Sequence, residues 1–443
     1  MTKPDRQARA GLLKVLGVAF GVAIIIGNTI GVGILRTPGE IAAHLPNATI
    51  FLLLWLAGGL YALMGALSMA ELGAMIPRSG GQYVFVRRGL GEYPAFVIGW
   101  SDWISTAGTA SLVSMVFAEY TAQLVPSLAR YQSLLALGII AVFTAILWAG
   151  IRTGDKTQQI TSLVKALGLI ALAIACIVVS GHAASVPPKP LPHGAGLITA
   201  IVVSVQAIIY TYDGWNGTFY FSGELTDPGR EIPRATILGV FSVIGVYLLL
   251  NIAFLKVVPI GTMAGDPFVA ATAARAVFGT AGDVIIRVIV VVGMLSTVNA
   301  TLLMSSRVPV AMAEDGLVAS VAIKVSPSGT PRITLLASAI VAVTFILTGS
   351  FNQVLALLAF FFVLNYAMSF ISLFVLRRRE PDANRPFRVP AYPYLTGVAL
   401  LGAVAFLVSG FFGDRANSVR SVIVLAASYP LYRVFKFAIQ RSK

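Results

Sequence analysis

Gly27-Asn28-Thr29-Ile30-Gly31-Val32-Gly33-Ile34-Leu35 ends an apolar run, residues 12–35, that is long enough to cross a bilayer as a helix. Glycine costs roughly 0.5–1 kcal/mol relative to alanine inside a helix, because it freezes more backbone freedom than any other residue. Glycines this closely spaced mark a weak point, and Gly31-Val32-Gly33 is where a helix would part. Parting frees backbone N–H and C=O groups at membrane depth, which is tolerated only where they are buried in protein or line a cavity. The N–H groups opening the second half, from Ile34 onward, would then present the positive end of a helix dipole, suited to a carboxylate. Close helix packing through small residues is the alternative reading of the same glycines.

Around this stretch the chain is 57% hydrophobic and only 11% charged over 443 residues, with a mean hydropathy of +0.86. Soluble domains carry about 25% charged residues. The composition therefore describes a polytopic helical membrane protein. Apolar runs of sufficient length give twelve spans, at 12–35, 50–76, 95–125, 133–150, 158–180, 196–221, 236–258, 281–312, 332–349, 353–376, 394–412 and 419–437. The net charge of +14 is explained by placement rather than by nucleic acid. With the N-terminus inside, Lys and Arg concentrate in alternate connections, from Arg78, Arg87 and Arg88 to the Arg377–Arg388 cluster. That skew fits the positive-inside rule and expects a multi-pass protein of the cell membrane with both termini cytoplasmic. The first apolar run is too long for a signal peptide and lacks a small-residue cleavage pattern.

Connections are short, which leaves no room for an extramembrane catalytic domain, and His44, His182 and His193 fall at loops without ligand or triad spacing. An enzyme and a metal or organic cofactor are therefore not expected. Cys176, the single cysteine, lies within the fifth span, so no intramolecular disulfide can form.

Three further stretches carry chemistry. Lys165 stands in the middle of the fifth span, where a lysine costs ~2.5–3.5 kcal/mol on insertion scales and normally faces a cavity or a partner. It is a candidate proton carrier. In the sixth span, Tyr210-Thr211-Tyr212-Asp213-Gly214-Trp215-Asn216-Gly217 clusters poor helix formers mid-membrane, a second place for a break. The third span is unusually polar, and Ser101, Ser105 and Gly108 follow helical spacing; that face lines a passage or serves packing. The basic clusters around Arg307 and Arg377–Arg388 read as anchors at the inner surface.

Gly-interrupted spans at corresponding positions of two halves point to an inverted-repeat transporter with its site near the midplane. Here they are the first and the sixth, each opening a group of five. The halves would be residues 12–180 and 196–376, running in opposite directions, with residues 377–443 adding two spans and a tail. Spans 1–5 and 6–10 show no evident self-similarity, so the repeat rests on span count and break positions.

Together these landmarks resemble the amino acid–polyamine–organocation superfamily, and most of all its L-type amino acid transporter branch. The resemblance is carried by Gly27 to Ile34, by Pro77-Arg78-Ser79-Gly80-Gly81-Gln82-Tyr83, and by Tyr212-Asp213-Gly214-Trp215-Asn216 leading to Glu224-Leu225, Pro228 and Pro233-Arg234-Ala235. It continues in Ser306-Arg307 with Met312-Ala313-Glu314-Asp315-Gly316, and in Arg379-Glu380-Pro381 with Arg385-Pro386-Phe387. It implies a single transmembrane domain of the LeuT-type fold, all-α with twelve transmembrane helices, working by alternating access. It also implies that a substrate carboxylate meets backbone amides at Gly31, Val32 and Gly33, with Gly214 at the second break. The substrate amino group would meet carbonyls of Thr29, Ile30, Tyr210 and Asp213, and Tyr210 would be an aromatic gate. By the same resemblance Lys165 fills the space of a sodium site and contacts spans 1 and 8, with Thr297 and Thr301 as the candidates on span 8.

The chain departs from the branch in three ways. Val32 replaces a hydroxyl residue in the usual glycine triplet, and Tyr210 stands where phenylalanine is usual. No cysteine is placed to bind the glycoprotein subunit of animal members. The function expected is sodium-independent transport of small to medium neutral L-amino acids, by exchange or with a proton as co-substrate. The alternatives are a carrier of cationic amino acids or amines, motivated by Asp213, and a non-transporting amino acid sensor.

Overall fold

The computed structural model describes residues 12–31, 33–179, 181–348, 351–413 and 415–441. With every backbone group needing an internal partner in lipid, apolar sequence of this kind has helix as its outlet. The described residues form eighteen α-helices: α1 (Val18–Thr29), α2 (Gly33–His44), α3 (Ala48–Met75), α4 (Gln82–Leu90), α5 (Glu92–Leu124), α6 (Gln132–Ala149), α7 (Ile151–Val178), α8 (Ala195–Thr211), α9 (Pro228–Val257), α10 (Ile260–Met263), α11 (Val269–Phe278), α12 (Ala281–Ser305), α13 (Arg307–Glu314), α14 (Arg332–Thr348), α15 (Phe351–Arg379), α16 (Tyr394–Gly413), α17 (Arg415–Ala426) and α18 (Ser428–Arg441). A 3₁₀ turn, Trp215–Phe221, follows α8. Among the described residues there is no strand, only an isolated parallel bridge between Leu16 and Leu225.

Among the described residues eight helices are long and apolar enough to cross a membrane, and the pair α1–α2, bent by 46° at its break, makes a ninth. The protein is a multi-pass membrane protein. Three expected spans fall outside that measure. α5 has 33 residues but carries the polar series of the third span. α14 has 17 residues. Span 419–437 is divided into α17 and α18 at Ala427, just before Pro430.

The first span also differs from its expected limits of 12–35. Its helix begins at Val18 and its second half runs from Gly33 to His44. Arg36, Thr37, Glu40 and His44 drop the hydropathy beyond Leu35, yet the chain stays helical because part of this half faces an interior cavity instead of lipid.

α1 lies at the centre, against α7, α9 and α12. Its fit there is tight: a Cβ at Gly27 would lie 2.0 Å from Gln158 Nε2 and 2.5 Å from Ser162 Oγ. Two ends of the bundle are distinguished by their ties. At one, the Arg36 face, Gly265 N–H donates to Gly39 O at 2.9 Å and Ala183 N–H to Val257 O at 2.8 Å. At the other, the Arg307 face, Arg78 meets Glu314 at 3.1 Å, Arg88 meets Glu380 at 2.6 Å, and Ile151 N–H donates to Ser328 O at 3.1 Å.

Candidate functional site

The last carbonyls of a helix have no partner within it. At the end of α1 they are met from three other elements. Lys165 Nζ, from α7, donates to Gly27 O at 2.9 Å and Ile30 O at 2.6 Å. Thr297 Oγ1, from α12, donates to Gly27 O at 2.7 Å and lies 3.1 Å from Lys165 Nζ. Tyr247, from α9, sets its hydroxyl 2.8 Å from Thr29 O and 3.0 Å from Thr211 O, so one phenol bridges the C-terminal ends of α1 and α8. A cation against a helix C-terminus is the favourable sense of the dipole. Thr301 is not part of this contact, against the sequence expectation. Its hydroxyl is spent on Thr297 O and Val298 O of its own helix.

The second break faces the first. α8 stops at Thr211, and Gly214 adopts φ +114°, a conformation open to glycine. Asn28 Nδ2 donates to Gly214 O at 3.2 Å, and a Cβ on Gly214 would lie 2.9 Å from the Asn28 carbonyl carbon and from Thr29 N. Thr37 and Thr211 hydroxyls meet at 2.9 Å, joining α2 to α8. Behind both breaks, Trp55, Tyr212 and Tyr247 pack ring against ring at 4.9–6.0 Å.

Between the breaks and α5 is a cavity of about 330 Å³. Thr29, Gly31, Gly33, Tyr210, Asp213, Thr297 and Thr301 all border it. Ile30 and Gly214 stand just behind, through the contacts given above. Val32, at the centre of the first break, lies outside the described residues. Tyr210 is 38% exposed, into this space. The carboxylate of Asp213 accepts from the Tyr366 hydroxyl, and the Tyr366 ring is stacked on Trp215 at 4.7 Å. Of the polar face expected on the third span, Ser101 and Ser105 bond within the protein, to Asn365 and to Asp102 O, and Gly108 packs on Leu358. The cavity is bordered instead by the neighbouring face, Thr106, Thr109, Val113 and Val116. Asn28, Thr37 and Tyr247 escaped the sequence reading. Asn28 lay inside the glycine run, but nothing distinguishes Tyr247 from any tyrosine in an apolar span.

The cavity extends along α2 to Arg36 and the exposed Glu40. At the other end it is closed. Arg307 and Glu224 are 1% and 0% exposed and pair through two hydrogen bonds, 3.0 and 3.1 Å. Glu224 O also accepts from Val15 and Leu16 N–H, both at 3.1 Å. Glu71, fully buried, holds Arg377 at 2.6 Å and Arg385 at 3.2 Å. Arg307 and Arg385 are therefore internal ion partners and not the surface anchors their basic surroundings suggest.

The chain matches the family described as amino acid permease over residues 13–432. It is 29% identical to the serine/threonine exchanger SteT of Bacillus subtilis, over 95% of this chain and 97% of that protein. It is 28% identical to the b(0,+)-type amino acid transporter 1 of Mus musculus, over 86% of this chain and 80% of that one. The Asc-type amino acid transporter 1 of Mus musculus is 28% identical, over 96% and 81%. These relatives are transporters, not enzymes. With its match spanning nearly the whole length, the chain belongs to the amino acid permease family, in the L-type transporter branch of the amino acid–polyamine–organocation superfamily.

Proposed function

We propose that the protein carries small to medium neutral L-amino acids across the cell membrane by alternating access, without sodium. The observation that carries this reading is the meeting of two helix breaks at one cavity, with α2 starting and α1 and α8 ending there. A zwitterion fits that arrangement. Its carboxylate is suited to the unpaired N–H groups of the first turn of α2, and its ammonium to the carbonyl ends of α1 and α8. The names of the relatives, a serine/threonine exchanger and two amino acid transporters, support an amino acid as the cargo.

In this reading twelve spans form the LeuT-type fold, with residues 12–180 and 196–376 as inverted repeats and residues 377–443 outside them. The Arg307 face is cytoplasmic, as are both termini. Thr29, Ile30, Gly31, Val32, Gly33, Tyr210, Asp213 and Gly214 form the substrate site. Lys165 serves as a fixed cation in place of sodium. The three acceptors around its ammonium match its three N–H donors, which favours a permanent charge over a proton carrier. Cys176 is buried, so a covalently linked subunit has no thiol to use.

The test is exchange in proteoliposomes with labelled alanine, serine, leucine, glutamate and arginine, with and without internal counter-substrate and with and without sodium. Neutral substrates should exchange in either salt. Failure of every neutral amino acid would end this reading. A second reading, transport of cationic amino acids or amines, is favoured by the Asp213 carboxylate in the cavity wall. It expects arginine to exchange and Asp213→Asn to abolish that exchange.

A further inference from the structure

Next to the cavity is a carboxyl group that none of these roles employs. Asp102, on α5, is fully buried. Its Oδ1 accepts from the Tyr220 hydroxyl at 2.5 Å, while Oδ2 has no donor at full hydrogen-bond geometry among the described residues and only the Thr106 hydroxyl nearby. The titratable groups facing it are Tyr220 from the 3₁₀ turn, Tyr366 from α15 and the acidic Asp213 beside the second break. α4, α6, α12, α13, α14, α17 and α18 also pack on α5, but among the described residues none brings a cation to Asp102. A buried carboxylate with neutral hydroxyl donors alone, a second acid nearby and no cation carries a penalty of several kcal/mol. A proton removes that penalty. The Thr106 hydroxyl, one helical turn along, is buried beside the carboxyl and borders the cavity, and it can turn from donor to acceptor once the O–H has formed.

The other side of Asp102 leads toward the Arg307 face. Tyr220 O accepts from Gly80 N–H at 3.2 Å, and a Cβ on Gly81 would lie 2.7 Å from the Tyr220 ring. Tyr220 is thus held between Asp102 and the loop following α3, and stands between the cavity and the closed face.

We propose that Asp102 is a proton-binding site of the transport cycle, loaded from the cavity and discharged at the Arg307 face. On loading, a proton passes from water in the cavity to Oδ2, forming the O–H bond. On discharge, Tyr220 withdraws with the 3₁₀ turn, water reaches the carboxyl, the O–H bond breaks and the proton leaves with that water. Amino acid and proton then move together. The inference rests on the transport reading above.

Proteoliposomes containing the protein and the trapped pH dye pyranine test it, with labelled serine and leucine as probes and an imposed acid-outside gradient. The wild type should show uptake raised about fivefold by the gradient, and an amino-acid-dependent acidification of the lumen. Asp102→Asn keeps an acceptor for the Tyr220 O–H but cannot take a proton. It should retain exchange within about twofold while losing both gradient stimulation and acidification. Tyr220→Phe keeps the carboxyl without its donor and should displace the pH at which exchange is half-maximal. A wild type that exchanges amino acids indifferently to the gradient overturns the proton site and leaves the transport reading standing. So does an Asp102→Asn variant that keeps its gradient response, or, where that variant does not fold, an unchanged pH profile in Tyr220→Phe. A wild type that moves no neutral amino acid overturns the transport reading, and the proton site with it.

Discussion

Gly214 shows how narrowly single residues are constrained where the two breaks meet. Its φ of +114° strains any other residue by about 1–3 kcal/mol, and an added methyl would press on the backbone of Asn28 and Thr29 at 2.9 Å. Neither obstacle can relax cheaply, because two of the three crowding atoms are main chain. At Gly31 a Cβ would meet nothing within 4 Å. Gly214→Ala should therefore lower the melting temperature of the purified protein and abolish exchange, whereas Gly31→Ala should leave the melting temperature unchanged. Equal melting temperatures for the two variants would contradict the geometry. Lys165 is constrained by charge. Each hydrogen bond from its ammonium is worth about 1.5–3 kcal/mol, and removing them leaves Ile30 O without its partner at the end of α1. Lys165→Ala should reduce exchange by more than about tenfold, by the same factor at every pH across the neutral range. A loss confined to one end of that range would instead identify Lys165 as a titrating carrier. These roles were unequally legible. Lys165 announces itself by its position in an apolar span, but its partners are 132 to 138 positions away and no spacing rule reaches them.

At the scale of elements, the break in the first span was legible because glycine is a poor helix former whatever surrounds it. The length of the second half was not. Hydropathy assumes that every face of a helix sees lipid, and α2 spends its polar positions on the cavity and on Tyr120, to whose hydroxyl Arg36 Nε donates at 3.1 Å. The sixth span was readable as broken, but not that its second half winds as a 3₁₀ turn with all seven residues buried. Leu16 bridges to Leu225, and Glu224 O receives Val15 and Leu16 N–H, so the segment before α1 is fastened to the segment after that turn. The buried Arg307–Glu224 pair fastens α13 to the same place. Removing one partner of such a pair costs about 3–5 kcal/mol, since the remaining charge is left without compensation. The cost falls on the closed arrangement alone if opening brings water to both groups. Glu224→Gln should then raise the population open at the Arg307 face by about two orders of magnitude or more. A Thr301→Cys reporter at the cavity wall should become labelled from that face by a polar thiol reagent. Unchanged labelling would show that the pair is not a closure.

For the whole molecule, what the sequence made legible was the kind of protein, and what it hid was which ends come together. Composition and hydropathy are sums over neighbours along the chain, so they identify helices without placing them. The ties at the two faces of the bundle are the missing information. Arg78 with Glu314, Arg88 with Glu380, Glu71 with Arg377, and Ile151 with Ser328 bring four separate connections to one face. Those connections hold the basic clusters from Arg78 to Arg388. The opposite face pairs its charges as well, Arg36 with Glu119 at 3.6 Å and Arg287 with Asp283 at 2.6 Å. A segment rich in Lys and Arg near short spans is retained in the cytoplasm, and Asp or Glu nearby contributes little to that sorting. The Arg307 face is therefore expected inside. Cys176 is buried and silent toward bulky reagents, so single cysteines can report orientation. Ser320 and Ser185 are both exposed, before α14 and before α8 respectively. On intact cells a membrane-impermeant maleimide should label Ser185→Cys at once, and should label Ser320→Cys only after the membrane is opened. The reverse pattern would invert the protein in the bilayer, and with it the direction in which the cavity faces.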